Sequence, residues 1–371
     1  MFSGAMDILV IESPNGTYKS SAFHVRFGSF KIIRTKEKEV EIFVNNQKKD
    51  VKMKLSSSGD AYFPNDELLN KQKSLCDNNM NINMKLDEID PDISKQKSLC
   101  ENNININIKL DEPQDNKKKK LDNEELMVKY YDLYKEKYKA FFPSSNQLKQ
   151  LDLEKGRNDI CFVCKSSFSG IKTIQASIYL WPSTSKIIIS DVDGTITKSD
   201  VLGQVLPFLG GDWAHEGVTE LFTSITKRGY NILYLTARAI GQSSMTKKYL
   251  DSLIQEKHSL PPGPLFLSPD GVFTSLKREV IERNPHLLKI PLLTELKNLF
   301  PEGSKPFFAG FGNRETDAVA YRWLEIPLNN IFLINTSSTL LRLGETKKTS
   351  YKLLTNNLDE AFPFVGNQNE Y

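Results

Sequence analysis

The sequence predicts an α/β domain over residues 186–371, preceded by a β-sandwich whose strands come from two separated segments. Two observations lead to this prediction. After Lys186, short apolar runs without polar alternation are separated by helical stretches, which is typical of parallel strands covered on both faces. Before that point, runs with an apolar residue at every second position are separated by turn-like segments, which is typical of half-buried antiparallel strands.

The amino-terminal β segment covers residues 1–64. In "SAFHVRFGSF", Phe23, Val25 and Phe27 point to one side, and "EVEIFVN" and "VKMKL" repeat this alternation. A segment of this length buries too little surface to form a stable sandwich alone. We therefore expect it to recruit strands from elsewhere in the chain.

Residues 65–122 have the composition of a linker. "KQKSLCDNNMNINMKLDE" at 71–88 returns almost unchanged at 95–112, and two copies are too few for a repeat architecture, so we predict disorder. The lysine run at 116–120 is either a solvated charge run or a basic patch attracted to anionic lipid.

Residues 123–185 supply the missing strands. A helix-like stretch precedes "DICFVCKSSFSGIKTIQASIYLW", which contains two or three strand candidates, and we predict one immunoglobulin-like sandwich split in sequence by the linker. Cys161 and Cys164 form a CxxC pair there. No second pair completes a zinc site, and residues three apart in a strand face opposite sides, so we interpret both as structural.

Composition limits the function classes. The chain has 371 residues, a net charge of +3 and four cysteines. That charge is too small to indicate nucleic-acid binding, and so few cysteines fit a reducing compartment. Neither a signal-peptide pattern nor an apolar run of about 18 residues is present, so we expect an intracellular protein that meets membranes only at their surface.

The α/β domain shows five strand candidates and three helix candidates in alternation. The strand candidates are "KIIIS", "YNILYLT", "PLFLS", "PFFAGF" and "NIFLIN". The helix candidates are "EGVTELFTSITKRG", "SSMTKKYLDSLIQEKH" and "SLKREVIERN".

The first strand of this domain ends in "IIISDVDGT". Asp191 and Asp193 stand at its carboxyl end, where sites form in open α/β sheets. Two carboxylates this close repel each other, so a positive group should lie beside them, and Mg²⁺ is the natural candidate. Gly194 gives the loop conformational freedom, and Thr195 can bond within the turn or to a phosphate. The alternative is an ordinary turn capped by aspartate.

Polar residues follow later strands in order. Thr236 follows "YNILYL", Lys289 lies in "LLKIP", and Asn313 and Asp317 follow "PFFAGF". Each has a structural alternative: Thr236 could cap a turn, Asn313 could cap a helix, and Lys289 could be a surface lysine with Lys277 in its place.

This assembly resembles the haloacid dehalogenase superfamily, with its Asp-x-Asp-x-Thr motif followed by a Thr or Ser, a Lys and an Asn/Asp motif. The resemblance narrows to lipin-type phosphatidate phosphatases. "SGAMDILVI" and "SAFHVRFGSF" resemble the amino-terminal lipin domain, whereas "LTARAIGQSSMTKKYL" and "FFAGFGNRETDAVAYRW" resemble the carboxy-terminal one. The resemblance covers essentially all residues outside 65–122. It implies a haloacid dehalogenase-like Rossmannoid catalytic domain beside the sandwich.

The resemblance implies roles for individual residues. Asp191 would be the nucleophile and Asp193 the general acid and base, while Thr236 and Lys289 hold phosphoryl oxygens. Asp191, the Asp193 main-chain carbonyl and Asn313 would bind Mg²⁺.

Further residues are assigned supporting parts. Asp317 and Thr195 would support the site from behind, and Gly194, Arg238 and Arg314 are candidates for substrate binding. The two arginines could equally pair with nearby carboxylates. Trp213 and His215 could touch an acyl glycerol or belong to the core.

The implied function is Mg²⁺-dependent hydrolysis of phosphatidate to diacylglycerol and phosphate at a membrane surface. A cytoplasmic protein, peripheral on the endoplasmic reticulum with a nuclear pool, would fit this function. Two alternatives stay open: a phosphatase of another phospho-substrate, because the motifs contact only the phosphate, or a non-catalytic lipin-like regulatory protein.

Overall fold

A computed structural model of the protein describes residues 3–28, 38–64, 131–132, 135–136, 138–166, 170–198, 213–268 and 286–365. The chain divides into two compact units, residues 1–63 with 134–371 and residues 64–133. The predictions of a disordered linker over 65–122, of a role for the lysine run and of a helix over "SLKREVIERN" concern residues outside the described ranges.

The described residues of the first unit form two seven-stranded sheets and two small two-stranded pairs. Its strands are β1 (Gly4–Ala5), β2 (Ile8–Glu12), β3 (Tyr18–Ser20), β4 (Val25–Arg26), β5 (Lys38–Val44), β6 (Gln47–Leu55), β7 (Ala61–Tyr62), β8 (Gly156–Ser166), β9 (Gly170–Pro182), β10 (Lys186–Asp191), β11 (Tyr230–Ala239), β12 (Ile254–Gln255), β13 (His258–Ser259), β14 (Leu265–Ser268), β15 (Phe307–Gly312), β16 (Ile331–Ile334), β17 (Leu340–Arg342) and β18 (Lys348–Thr349). The α-helices are Ser145–Lys149, Val218–Thr226, Ser243–Ser252, His286–Lys297, Glu315–Trp323, Tyr351–Thr355 and Leu358–Ala361. Within the described ranges, 3₁₀ turns lie at Lys139–Phe141, Ile240–Gln242 and Leu328–Asn330.

The carboxy-terminal sheet has the order β14-β11-β10-β15-β16-β17-β18. The pairs from β14 to β16 are parallel, which confirms the predicted α/β class. Ile187, Ile188 and Ile189 are completely buried because both faces of this sheet are covered. The last two strands, β17 and β18, are antiparallel additions at one edge that the apolar pattern did not indicate.

One predicted helix is too long. The pattern "SSMTKKYLDSLIQEKH" predicts a helix to His258, but the helix ends at Ser252 and the β12–β13 hairpin follows. The side chain of Gln255 accepts a hydrogen bond from the Thr219 main chain and donates one to the His215 carbonyl. These tertiary contacts hold the segment extended and outweigh its helical periodicity.

The second sheet has the order β3-β2-β9-β8-β5-β6-β7. The β8–β9 hairpin of the later segment therefore lies between strands of the amino-terminal segment, because β2 pairs with β9 and β5 pairs with β8. Strands from the two segments combine in one sheet, as the sequence predicted. The immunoglobulin-like sandwich and the domain boundaries stay predictions.

One core joins the two β segments. Phe23, Val25 and Phe27 belong to the same buried cluster as Ile160 and Phe162. The ring centroids of Phe23 and Phe162 are 6.4 Å apart in an edge-to-face contact. Neither segment could bury these side chains alone, which explains why strands more than a hundred residues apart in sequence pair.

The two cysteines of the CxxC pair face opposite sides of β8. Cys164 is buried in the core, and Cys161 is half-buried on the other face. In the described part of the chain, no helix has both the length and the apolar character needed to cross a bilayer.

Candidate active site

The carboxyl ends of three neighbouring strands meet at the candidate site. Asp191 is the last residue of β10 and pairs with Leu235 of β11, so Thr236 is the first residue of β11 beyond that end. On the other side, Ser190 pairs with Phe311 of β15, so Asn313 follows the end of β15. Strand order and register therefore bring together polar residues more than a hundred positions apart.

The loop after β10 is a tight turn. The main-chain oxygen of Val192 accepts N–H bonds from Ile196 at 3.0 Å and Thr197 at 3.1 Å. Gly194 has φ = +79°, a left-handed conformation that favours glycine. The Thr197 hydroxyl accepts the Gly194 N–H at 3.1 Å. This turn fixes Asp191 and Asp193 relative to each other.

Lys289 bridges two buried carboxylates. Its Nζ lies 2.5 Å from Oδ1 of Asp191 and 2.6 Å from Oδ1 of Asp317. The Thr195 hydroxyl donates to the other oxygen of Asp191 at 3.3 Å. Lys289 thus lies at the site; its sequence competitor, Lys277, is outside the described residues.

Charge is unbalanced in this cluster because two buried carboxylates share one ammonium group. Burial raises the pKa of Asp191 to about 7; the Lys289 ammonium acts in the opposite direction, and the Asp317 carboxylate adds to the rise. Burial alone would lower the pKa of Lys289, but the carboxylates of Asp191 and Asp317 outweigh it and raise that pKa. Lys289 is held as an ammonium, and the cluster favours additional positive charge.

Asp317 caps the helix that follows β15. It is the third residue of the helix Glu315–Trp323, and its Oδ2 accepts the main-chain N–H of Asn313 at 3.0 Å and of Arg314 at 3.1 Å. A carboxylate at this position satisfies donors that a helix leaves open at its start. It also fixes the backbone that carries Asn313, while Arg314 itself is exposed.

Both oxygens of Asp193 are held. The Thr236 hydroxyl donates to Oδ2 at 2.7 Å, and the Arg238 guanidinium donates to Oδ1 from Nε at 3.1 Å and from Nη2 at 2.6 Å. Arg238 is buried. Of the two interpretations that the sequence left open for Arg238, the structure favours pairing with a carboxylate.

The sequence analysis did not connect His215, Ser338 or Tyr351 with the loop after β10. The His215 ring lies 2.8 Å from the Ser338 hydroxyl through Nδ1 and 3.3 Å from the Gly194 carbonyl through Nε2. Tyr351 donates its hydroxyl to the Thr195 carbonyl at 2.9 Å. Ser338 and Tyr351 lie more than a hundred residues further along the chain, and no motif connects them to the loop.

Trp213 and His215 differ in burial. His215 is completely buried, whereas Trp213 is 38% exposed. Burial lowers the pKa of His215, against a smaller opposite effect of its hydrogen bond to Gly194. His215 therefore supports the loop from the core rather than facing a lipid.

The residues present fit a hard divalent cation. In the described ranges no three His, Cys, Asp or Glu side chains form a metal cluster. A metal ion at this site would have the Asp191 carboxylate, the Asp193 main-chain carbonyl and the Asn313 side chain as donors. All of these are oxygen donors, as Mg²⁺ prefers. Three carboxylates in the site, Asp191, Asp193 and Asp317, face two cations, Lys289 and Arg238. A divalent ion would offset the remaining negative charge.

Comparison with known families covers most of the chain. The family model described as LNS2 (Lipin/Ned1/Smp2) matches residues 139–363. A second model, the lipin N-terminal conserved region, matches residues 1–83. All the strands of the described residues thus fall within matched regions.

Each of three curated relatives matches about 60% of the chain. "Phosphatidate phosphatase PAH1" of Arabidopsis thaliana is 46% identical over 222 residues, which is 60% of this chain and 25% of that protein. "Phosphatidate phosphatase LPIN1" of Homo sapiens is 43% identical over 223 residues, again 60% of this chain and 25% of that protein. "Phosphatidic acid phosphohydrolase 1" of Saccharomyces cerevisiae is 44% identical over 236 residues, covering 60% and 27%. The chain spans about a quarter of the length of these relatives.

Proposed function

This chain belongs to the LNS2 (Lipin/Ned1/Smp2) family, and from that premise we propose that it is a metal-dependent phosphatidate phosphatase. The reaction converts phosphatidate to diacylglycerol and phosphate through a phosphoryl-aspartate at Asp191. The relatives named as phosphatidate phosphatases support the choice of substrate.

One observation carries the proposal. Asp191 and Asp193, two residues apart, contact different polar partners from distant parts of the chain: Lys289 lies 2.5 Å from Asp191, and Thr236 lies 2.7 Å from Asp193. A turn capped by aspartate needs neither contact. The pattern fits one carboxylate kept as a nucleophile and a second kept as a proton carrier.

The first chemical step forms the covalent intermediate. An oxygen of Asp191 attacks phosphorus while the bond from phosphorus to the glycerol oxygen breaks. Asp193 enters protonated and gives its proton to that oxygen, so diacylglycerol leaves as an alcohol rather than an alkoxide. Acid–base assistance of this kind is typically worth about 10²–10⁴-fold.

The second step releases phosphate. Asp193, now a carboxylate, takes a proton from a water molecule whose oxygen attacks phosphorus. The bond between phosphorus and Asp191 breaks, which restores the Asp191 carboxylate. Lys289 and Thr236 bind phosphoryl oxygens and offset charge that grows in each transition state.

The metal is proposed to be Mg²⁺, held by Asp191, the Asp193 main-chain carbonyl and Asn313. When bound, it supplies positive charge to a phosphoryl oxygen and allows one anion to approach another. Asp317 and Thr195 orient these groups, Arg238 holds Asp193, and Gly194 and Arg314 are proposed to contact the substrate. Lys289 is shared between the carboxylates of Asp191 and Asp317, and this local excess of negative charge at Asp191 supports the assignment.

The setting of the reaction is part of the proposal. The substrate is met at a membrane surface, with the protein peripheral on the cytoplasmic face of the endoplasmic reticulum and a nuclear pool. We also propose that residues 1–64 and 123–185 form an immunoglobulin-like sandwich beside the catalytic domain of residues 186–371, with 65–122 as the linker. Pairing of β2 with β9 and of β5 with β8 supports a shared β domain.

The test is phosphate release from phosphatidate in mixed micelles, compared with lysophosphatidate and a phosphoserine peptide, with Mg²⁺ and after chelation. We expect turnover of phosphatidate that requires the metal and is lost in Asp191→Ala and Asp193→Ala. Equal turnover of the three substrates would contradict the lipid specificity. Full activity after chelation would contradict the metal requirement, and no turnover of any substrate would favour a regulatory protein.

A further inference from the structure

We propose that Thr246 is a positioning residue for Asp193, and that the ion pair between buried Asp7 and half-buried Lys247 fixes the helix carrying Thr246 to the amino-terminal strands. This inference rests on the proposed function, because it concerns the group that protonates the leaving oxygen. It connects the first strands of the chain to the orientation of one carboxylate.

The first step runs from Asp193 to Thr246. Arg238 binds Asp193 through Nε and Nη2, and its Nη1 donates to the Thr246 hydroxyl at 3.0 Å. Thr246 is completely buried, and its hydroxyl donates to the Gln242 carbonyl at 3.0 Å. The hydroxyl therefore has one role as donor and one as acceptor, which fixes where the guanidinium lies.

The second step runs through the helix Ser243–Ser252. Lys247, the neighbour of Thr246, donates from Nζ to Oδ1 of Asp7 at 2.6 Å and to the Ser177 hydroxyl at 2.7 Å. Asp7 is buried, precedes β2 and also accepts the main-chain N–H of Ser177 at 2.7 Å and of Leu265 at 3.0 Å. Asp7 thus joins the amino-terminal segment, β9, β14 and the helix at one carboxylate.

A close backbone contact reinforces this connection. Gly4 of β1 packs against the turn Ile240–Gln242 that leads into the helix, and a Cβ on Gly4 would lie 2.2 Å from the Ile240 carbonyl oxygen. Only glycine permits this approach. The amino-terminal strand therefore touches the same helix at two places.

Stability alone does not account for such a cluster. An ion pair of this kind contributes little net stability compared with well-packed apolar groups. Its two directional contacts, to Asp7 and to Ser177, instead limit where Lys247 can lie. In a catalytic site, a displacement of about 1 Å can lower the rate about 10²-fold. We infer that the cluster keeps Arg238, and through it Asp193, in one orientation.

The test compares two leaving groups. If Asp193 is misplaced, the loss should be large for phosphatidate, whose alkoxide needs a proton, and small for nitrophenyl phosphate, whose phenolate leaves without one. A purely structural defect lowers kcat/KM for both substrates equally. The ratio of the two values therefore separates positioning from general damage.

The variants are Thr246→Val, which removes only the hydroxyl, and Thr246→Ser, which restores it. We expect Thr246→Val to lower kcat/KM for phosphatidate about 10–100-fold and to change kcat/KM for nitrophenyl phosphate about twofold or less. Thr246→Ser should restore kcat/KM for phosphatidate. Thr226→Val is the matched control, because its hydroxyl also binds a carbonyl within a helix, that of Thr223 at 2.9 Å.

A second variant tests the amino-terminal connection. Asp7→Asn removes the charge that holds Lys247 but keeps an acceptor oxygen, and we expect the same selective loss for phosphatidate, smaller in size. Combined with Thr246→Val, its effect should be less than additive, because both act on Arg238. Asp60→Asn is the control, since it removes the carboxylate paired with Arg26 in the same segment.

The outcomes are separable. Equal losses for both substrates, full activity of folded Thr246→Val, or failure of Thr246→Ser to restore it would overturn the inference. If Thr246→Val does not fold, Asp7→Asn decides alone by the same ratio. Asp191→Asn is included throughout: turnover in that variant refutes the proposed function, whereas its inactivity beside a fully active Thr246→Val refutes only the positioning role.

Discussion

At the scale of single residues, the account depends on the cluster of Asp191, Lys289 and Asp317. One ammonium group lies within 2.6 Å of two buried carboxylates, so it offsets the charge of Asp191, the proposed nucleophile, and orients Asp317, which caps the next helix. Sequence reasoning could identify these three residues by their positions after predicted strands. It could not foresee that Lys289 bridges the two carboxylates, because that depends on where the helix His286–Lys297 packs.

Removing the bridging ammonium should therefore impair activity strongly. We expect Lys289→Met to lower kcat for phosphatidate about 10²–10³-fold, in the range of a lost electrostatic stabiliser. The control is Lys297→Met on the same helix, whose ion pair with Glu325 at 3.3 Å is largely exposed. An exposed pair contributes about 0–1 kcal/mol, so this control should stay near wild-type turnover. Equal losses of kcat in the two variants would contradict a role of Lys289 in the reaction.

At the scale of elements, the end of β15 and the helix after it form one unit. A Cβ on Gly312 would lie 2.5 Å from the Cβ of Asp317, so the absence of a side chain in the strand lets the helix cap approach. The sequence showed an apolar strand followed by a polar motif. It did not show that glycine at 312 is required for this approach.

Gly312→Ala should therefore lower catalytic activity in addition to lowering stability. Gly310→Ala, in the same strand, is a matched comparison, because a Cβ on residue 310 would overlap the ring of Tyr321. Overpacking of this kind costs about 1–3 kcal/mol, and we expect similar losses in thermal stability. Only Gly312→Ala should also lower kcat at a temperature where both variants are folded, because it displaces Asp317. Similar kcat values in the two variants would contradict this reasoning.

Elements were predictable to different degrees. The buried strands β10, β11 and β15 follow from apolar runs because both faces are covered. The β12–β13 hairpin, β17 and β18 depend on contacts with distant residues, such as Gln255 with His215, and local periodicity carries no such information.

At the scale of the whole molecule, the two β segments depend on each other. β2 and β5 occupy the two edges of the β8–β9 hairpin, and the core is shared between the segments. The sequence indicated that residues 1–64 need further strands. The parallel pairing of β2 with β9 and the contact of Asp7 with Lys247, 240 residues apart, could not be predicted.

Deleting residues 1–64 should therefore leave an insoluble or inactive remainder. The deletion would expose both edges of the β8–β9 hairpin and the core side chains that pack against residues 1–64. Exposed apolar edges promote aggregation. Solubility and phosphate release measure the effect, and co-expression of residues 1–64 as a separate chain should restore both. A soluble deletion variant with full turnover would show that the catalytic domain stands alone.

The most direct test of the central claim is to trap the phosphorylated protein. After acid quenching during turnover of phosphatidate labelled with ³²P on its phosphate, the account predicts label on the protein that hydroxylamine removes, as expected for an acyl phosphate, and no label in Asp191→Asn. Turnover without labelled protein, or label that persists in Asp191→Asn, would contradict a nucleophilic Asp191.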